Sequence, residues 1–326
     1  MDKLVIIDTA ILSSMLSSIQ ISRDIIRAHN FQILEISRSS LSPCKPYNPQ
    51  WHILILIVTN SIIIDVMEND LLQTSPGQQE DIMNEKHNDS TPPEHYFDST
   101  VWDYDEWYKT PVGKFIDRIE TELAFELLPP KEGWKVLDAG CGTGNFTFKL
   151  ARRGCRVTGI DVSRPMLQRA KRKMESCELE SIKEQVDFAK MDINDLAFAD
   201  ASFDAIYSMS AFEFIDEPER AFSQLWRVLK PGGNLLIGTI NGDSSWGRAY
   251  RKKAYADPQS VFNHANFKTR TEIENLNQTH LLNSAECLFI PHGAPEKDFN
   301  KQNEKDLSGQ VTGGFFCVLW EKPHEE

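Results

Sequence analysis

Between Trp134 and Phe146 the chain reads WKVLDAGCGTGNF, with glycines at positions 140, 142 and 144. A short apolar run precedes them and an amphipathic stretch follows, so the pattern is strand, tight turn, helix. Without Cβ atoms the backbone can bend sharply there and lie against a ligand, and the start of the helix offers unpaired N–H donors. Such a turn belongs in an α/β protein if strands and helices keep alternating around it, and in this chain they do.

Upstream, Phe115, Ile116, Ile119, Leu123, Leu127 and Leu128 recur at helical spacing, and Pro129-Pro130 stops that helix. After the first strand, GNFTFKLARRG reads as a helix ended by Gly154, and RVTGID as a second strand. RPMLQRAKRKMES follows as a helix with Met166, Ala170 and Met174 on one face, while Arg164, Arg169, Lys171 and Arg172 point mostly outward. VDFAKMDI and FDAIYSMS are the third and fourth strands. EPERAFSQLWRVLKPGG is a helix closed by Pro-Gly-Gly, and NLLIGTIN the fifth strand. Beyond a polar and basic insert over residues 244–277, AECLFIPH and GGFFCVLWEKP close the sheet. The sum is an open, Rossmann-like, doubly wound α/β fold, mostly parallel, with helices on both faces.

The 326 residues carry a formal net charge of -13, which repels a polyphosphate partner and argues against nucleic acid. The six cysteines, Cys44, Cys141, Cys155, Cys177, Cys287 and Cys317, lack zinc-ligand spacing. They suit a reduced, cytoplasmic protein with no metal site. Residues 1–82 form a hydrophobic extension whose apolar core, WHILILIVTNSIIIDV, is interrupted by Thr59, Asn60 and Ser61. Its apolar pieces fall short of the ~18–20 residues that span a bilayer. Three readings stand: an appended element with buried strands, a membrane-associating segment, or an extension from an upstream start codon. The third is preferred because Met83 opens a polar lead-in. Residues 83–95 read as a linker and 96–326 as the functional domain.

Ligands of open α/β sheets bind at the carboxyl ends of the strands, where the strand order reverses. Asp161 ends the second strand, placed to accept from two ribose hydroxyls, or alternatively to cap the next helix. Asp192, after the third strand, is placed to meet an adenine amino group with Ile193 and Met166 on the ring faces, or simply begins a turn. A dinucleotide turn wants G-x-G-x-x-G, but Asn145 stands where its third glycine would be. Asp138, just before the turn, opposes a pyrophosphate and suits a cationic amine and a sulfonium. No GKS or GKT follows, which excludes a P-loop.

At VLDAGCGTG, at Asp161 after VTGI, and at MDINDL, FDAIYS and RVLKPGG, the chain resembles the class I S-adenosylmethionine-dependent methyltransferases, in their small-molecule, type 11-like branch. The resemblance implies a seven-stranded sheet with the last strand antiparallel and S-adenosyl-L-methionine as cofactor. It places the methionine part against Asp138, Gly140, Cys141 and Gly142, and the ribose against Asp161 beside Val162. The adenine falls by Asp192, Ile193 and Met166. Ser208 and Met209 line the cofactor on the substrate side, and Tyr104 reaches its carboxylate.

The implied reaction is in-line methyl transfer to a small-molecule acceptor, which needs alignment and exclusion of water more than a dedicated catalytic residue. Glu213, His264 and His292 are the candidate bases, although Phe214 replaces a histidine often found there. In the insert, Trp246, Tyr250 and Phe262 are expected as apolar walls. Arg248, Arg251, Lys252 and Lys253 either hold an anionic substrate or form a solvated helix face. Two other classes compete: a non-catalytic cofactor-binding protein on the same fold, and an NAD-dependent oxidoreductase, which Asp138 and the missing glycine disfavour.

Overall fold

The computed structural model describes residues 33–35, 54–56, 92, 95–97, 101–177 and 180–324. The chain divides into two compact units, Met1–His87 and Asn88–Glu326. In the first, Ile33–Glu35 pairs antiparallel with Leu54–Leu56. The rest of the extension over 1–82, and nearly all of the linker over 83–95, lie outside the described residues. Among the described residues no helix is long and apolar enough to cross a membrane.

The second unit is built on a seven-stranded sheet. Its strands are β1 (Lys135–Ala139), β2 (Arg156–Asp161), β3 (Val186–Lys190), β4 (Phe203–Met209), β5 (Leu229–Ile240), β6 (Leu281–Cys287) and β7 (Phe315–Glu321). They lie in the order β3-β2-β1-β4-β5-β7-β6. β1 to β5 pair in parallel, and β7 runs antiparallel between β5 and β6. Successive residues of one strand enter opposite cores. Val136, Tyr207 and Leu236 join one apolar cluster, while Leu137, Ile206 and Leu235 join the other. Strands buried on both faces read as continuous apolar runs, which is why they were easy to see in the sequence.

The helices are α1 (Val101–Trp107), α2 (Pro111–Leu127), α3 (Asn145–Ala151), α4 (Arg164–Glu175), α5 (Glu180–Gln185), α6 (Pro218–Val228), α7 (Ser245–Ala256), α8 (Arg270–Glu274) and α9 (Lys301–Leu307). α2 and α4 start alike: a hydroxyl, Thr110 or Ser163, accepts from a backbone N–H of the first turn, and a proline follows. Tyr207 donates from the sheet to the carbonyl of Leu128, which closes the end of α2 at 2.6 Å.

Three boundaries differ from the sequence reading. β3 ends at Lys190 instead of Ile193, because the Asp192 carboxylate accepts from the Asn194 backbone N–H and turns the chain. α6 ends at Val228, and the Lys-Pro-Gly-Gly stretch belongs to β5. Leu229 already pairs with Phe203, and a bulge at positive-φ Gly232 absorbs the register shift. β6 is Leu281–Cys287, seven residues of edge strand, and AECLFIPH contributes only its start. Leu288 sits at φ +61°, and the Glu304 carboxylate takes the backbone N–H groups of Phe289 and Ile290. Those donors are unavailable for sheet pairing.

Candidate functional site

A cavity of about 900 Å³ opens where the loops leaving β1 to β4 converge. The strand order reverses between β1 and β4, so this is the switch point of the sheet. The glycine turn forms its floor. Gly140 and Cys141 both donate to the Ile160 carbonyl, at 2.9 and 2.8 Å, which binds the turn to the end of β2. The glycines are not equivalent. A Cβ on Gly140 would stand 2.5 Å from the Ala211 side chain, so that glycine is required by the packing of the β4 exit. At Gly142, with φ +52°, a Cβ would meet nothing within 4 Å. Gly142 lines the cavity, and its bare α-carbon is the one with room beside it.

Asp161 accepts from the Gly142 N–H at 2.9 Å and from the Ser163 N–H at 2.8 Å, one on each oxygen. Each oxygen keeps a further acceptor position. Burial raises its pKa, and the backbone N–H groups oppose that rise. Ser163, not Asp161, caps α4. Val162, Met166, Asp192 and Ile193 line the cavity with it.

Asp138 stands elsewhere. It is buried behind the turn, off the cavity lining, and accepts from the Thr147 hydroxyl. Burial pushes its carboxyl up to about 7, with Thr147 opposing. Cys141 is likewise buried off the lining, and burial raises its thiol well above the usual range, as expected of a packing residue rather than a nucleophile. Ser208 donates to the Ala139 carbonyl at 2.8 Å, and Met209 packs against the core. Neither lines the cavity. The next two residues do: Ser210, at φ +52°, and Ala211.

Tyr104 lines the cavity from α1, its hydroxyl 3.2 Å from that of Tyr108. The neighbouring Asp105 anchors it. The Asp105 carboxylate accepts from Arg169 at 2.6 Å, from Thr143 at 2.8 Å and from Lys173 at 3.0 Å. Burial alone would raise its pKa, but these donors outweigh burial and hold it low. Arg169 therefore does not point outward as its sequence position suggested. It ties α4 to α1, while Thr143 brings in the glycine turn.

Of the candidate bases, Glu213 lines the cavity. It is almost fully buried, accepts from Thr239 at 2.8 Å, and burial pushes it up to about 7. His264 is stacked on Tyr96 at 3.9 Å, and His292 lies edge-on to Trp246 at 4.8 Å; neither is on the lining. Trp246, Tyr250 and Phe262 do form walls. Of the four basic residues considered in the insert, only Lys253 reaches the cavity. Arg248 and Arg251 donate to the carbonyls of Asp243 and Gly242. Among the lining residues that had no part in the sequence reading, one is a half-buried acid. Glu120 sits one helical turn after Ile116 on α2, and burial, then the nearby Asp117, push it up to about 8. Its signal was a carboxylate in register with the buried stripe of an amphipathic helix.

Among the described residues no group of three or more His, Cys, Asp or Glu could hold a metal ion. Residues 137–237, from β1 through β5, match the family described as a methyltransferase domain. Over that stretch the chain is similar to the class I S-adenosylmethionine-dependent methyltransferases. That class uses S-adenosylmethionine as its cofactor. The domain is 35% identical over 132 residues to an S-adenosyl-L-methionine-dependent Diels-Alderase of Talaromyces variabilis, covering 40% of this chain and 44% of the relative. It is 33% identical over 127 residues to a ubiquinone biosynthesis O-methyltransferase of Alkalilimnicola ehrlichii, covering 39% and 49%. The chain thus spans about half the length of the curated relatives it matches. Among solved structures, a possible histamine N-methyltransferase of Thermotoga maritima aligns with a TM-score of 0.53 at 25% identity, over 70% of this chain and 99% of that one.

Proposed function

We propose that this protein transfers a methyl group from S-adenosylmethionine to a small-molecule acceptor held in the same cavity. The carrying observation is the pairing of Gly142 with Asp161. A bare α-carbon faces open space, directly bonded through its N–H to a carboxylate that still has acceptor positions free. A ribose edge against that carboxylate, with Met166 and Ile193 as apolar neighbours of the base, fits the donor set. When bound, S-adenosylmethionine supplies an electrophilic methyl on a positively charged sulfur.

The chain's own residues do the remaining work. The turn and Asp161 fix the nucleoside, Tyr104 closes the cavity from α1, and the aromatic walls from α7 exclude water from the reacting centre. Glu213 is placed to accept a proton from an acceptor. The relatives differ in what their names say they act on, so kinship alone does not choose an acceptor.

Calorimetry with S-adenosylhomocysteine and with NAD tests the reading: the first should bind and the second should not. Asp161→Ala should weaken S-adenosylhomocysteine binding by about 1.5–3 kcal/mol, from hydrogen bonds to a charged acceptor. Unchanged affinity would take Asp161 out of the site. A second reading, cofactor binding without methyl transfer, is favoured by the Diels-Alderase relative. Release of S-adenosylhomocysteine in the presence of acceptor pools separates the two.

A further inference from the structure

We infer that the acceptor is a small amine, bound as its ammonium between Glu120 and Glu213 and against the rings of Trp246, Tyr250 and Phe262. This rests on the methyl-transfer reading and names the substrate class for that site. At about 900 Å³ the cavity lies near the top of the range for small-molecule sites, about 300–1,000 Å³, so it has room for an acceptor beside the nucleoside. Beyond Asp161 and Asp192 the lining carries six carboxylates; Glu106, Asp216, Glu217 and Asp257 are exposed, which leaves two inside the cavity, from separate elements. Glu120 comes from α2, and Glu213 from the short 3-10 turn after β4.

Cations are scarce there. Among the described lining residues Lys253 is the lone cation, and its ammonium already lies 5.7 Å over the Phe262 ring. Arg248 and Arg251 are spent on backbone carbonyls. A phosphate or carboxylate head would therefore find two acidic side chains and no guanidinium fork, the further cations that act on them, Lys149 and Lys268, lying off the lining. An ammonium finds the reverse. Glu120 accepts no hydrogen bond from a described residue, and Glu213 accepts from one side chain, Thr239, through Oε2. Ionised carboxylates are acceptors only, and an ammonium brings three donors. Trp246, Tyr250 and Phe262 line the same cavity, and aromatic rings attract cations.

The chemistry closes on the same groups. The bound ammonium passes one proton to a carboxylate, which frees the nitrogen lone pair. That pair forms the new C–N bond as the methyl carbon parts from sulfur, whose bonding electrons stay on sulfur. The product leaves as a methylated ammonium, and the carboxylate returns its proton to solvent. Burial raises both carboxyls toward neutrality, which makes them fit acceptors for that proton.

The test uses the full chain. S-adenosylhomocysteine is first titrated alone; failure to bind overturns the methyl-transfer reading and this one with it. Phenethylamine, 2-phenylethanol and phenylacetate, which share a body and differ in head group, are then compared. Benzylamine, 3-methylbutylamine and their matched alcohols and acids are run alongside. Binding to the protein loaded with S-adenosylhomocysteine and product release from S-adenosylmethionine are both read. The expected result is that amines bind and turn over ahead of their matched partners. Glu120→Gln and Glu213→Gln should each raise the amine KM at least tenfold while the S-adenosylhomocysteine Kd stays within twofold. Alcohols or acids equalling the amines, or an amine set that neither binds nor turns over, overturns the inference while leaving the broader reading standing. An amine KM unmoved in both variants also overturns it.

Discussion

The glycine turn separates two demands that one motif usually blurs. Gly140 answers to Ala211, at 2.5 Å from a Cβ that is not there, and Gly142 answers to empty space. Gly140→Ala should therefore lose stability, since both the clash and the left-handed backbone count against it. Gly142→Ala should lose only about 1–2 kcal/mol, the cost of a side chain in the left-handed region. It should nevertheless lose S-adenosylhomocysteine affinity more than tenfold, because its methyl group projects where the ligand must lie. Denaturant unfolding and calorimetry on the two variants check the contrast. The sequence displayed this turn, and Asp161, Val162, Asp192 and Ile193 around the cavity, because each sits within three residues of a strand end, with Met166 in the first turn of the helix that follows. It did not display that Asp138 and Cys141 turn away, or that the β4 exit presents Ser210 and Ala211 in place of Ser208 and Met209. Within one strand, side chains alternate between faces. A motif locates the loop, but which residue faces the ligand depends on where the strand stops.

Among the described elements, α1 is one whose place depends on charge. It is a helix of seven residues, too short to be stable alone, and Asp105 fastens it to α4 and to the turn at once. Asp105→Ala would leave Arg169 and Lys173 facing each other without their carboxylate. Their side chains are 22% and 24% exposed and that of Asp105 is 7%, so solvent screens part of the loss. A destabilisation of about 2 kcal/mol is expected, between the values for exposed and buried pairs. S-adenosylhomocysteine affinity should fall as well, because Thr143 and Tyr104 lose their common anchor. Asp105→Asn, which keeps the hydroxyl contact with Thr143, should recover part of the affinity. A variant that loses stability alone would show that α1 does not serve the cavity. The resemblance pointed to Tyr104 but not to this fastening, since the partners lie 64 and 38 residues apart. It placed β6 four residues too late for a related reason: a polar edge strand carries little of the apolar signal by which the inner strands are recognised.

For the whole molecule, four acids with raised pKa values, Asp161 among them, set a pH dependence. Asp138 and Glu213 at about 7, and Glu120 at about 8, bind protons more tightly folded than unfolded. Their contribution to stability is complete below about pH 4 and is lost as the pH rises through 7 to 8. His292, whose pKa burial lowers, acts in the opposite sense near neutrality. The ligand-free protein should be more resistant to urea at pH 5.5 than at pH 8.5, and Asp138→Asn should flatten that slope. An unchanged slope in the variant would mean that Asp138 ionises normally. The overall architecture was legible because both sheet faces are covered, so strand and helix periods alternate without interruption along the core. The same architecture bears on domain organisation. Every residue lining the cavity, from Tyr96 to Gly314, falls within the unit Asn88–Glu326, and so do both apolar clusters. Residues 88–326 expressed alone should therefore unfold in a single cooperative transition and bind S-adenosylhomocysteine within twofold of the full chain. If the shortened protein binds more than tenfold weaker while still folding, residues 88–326 do not carry the site by themselves.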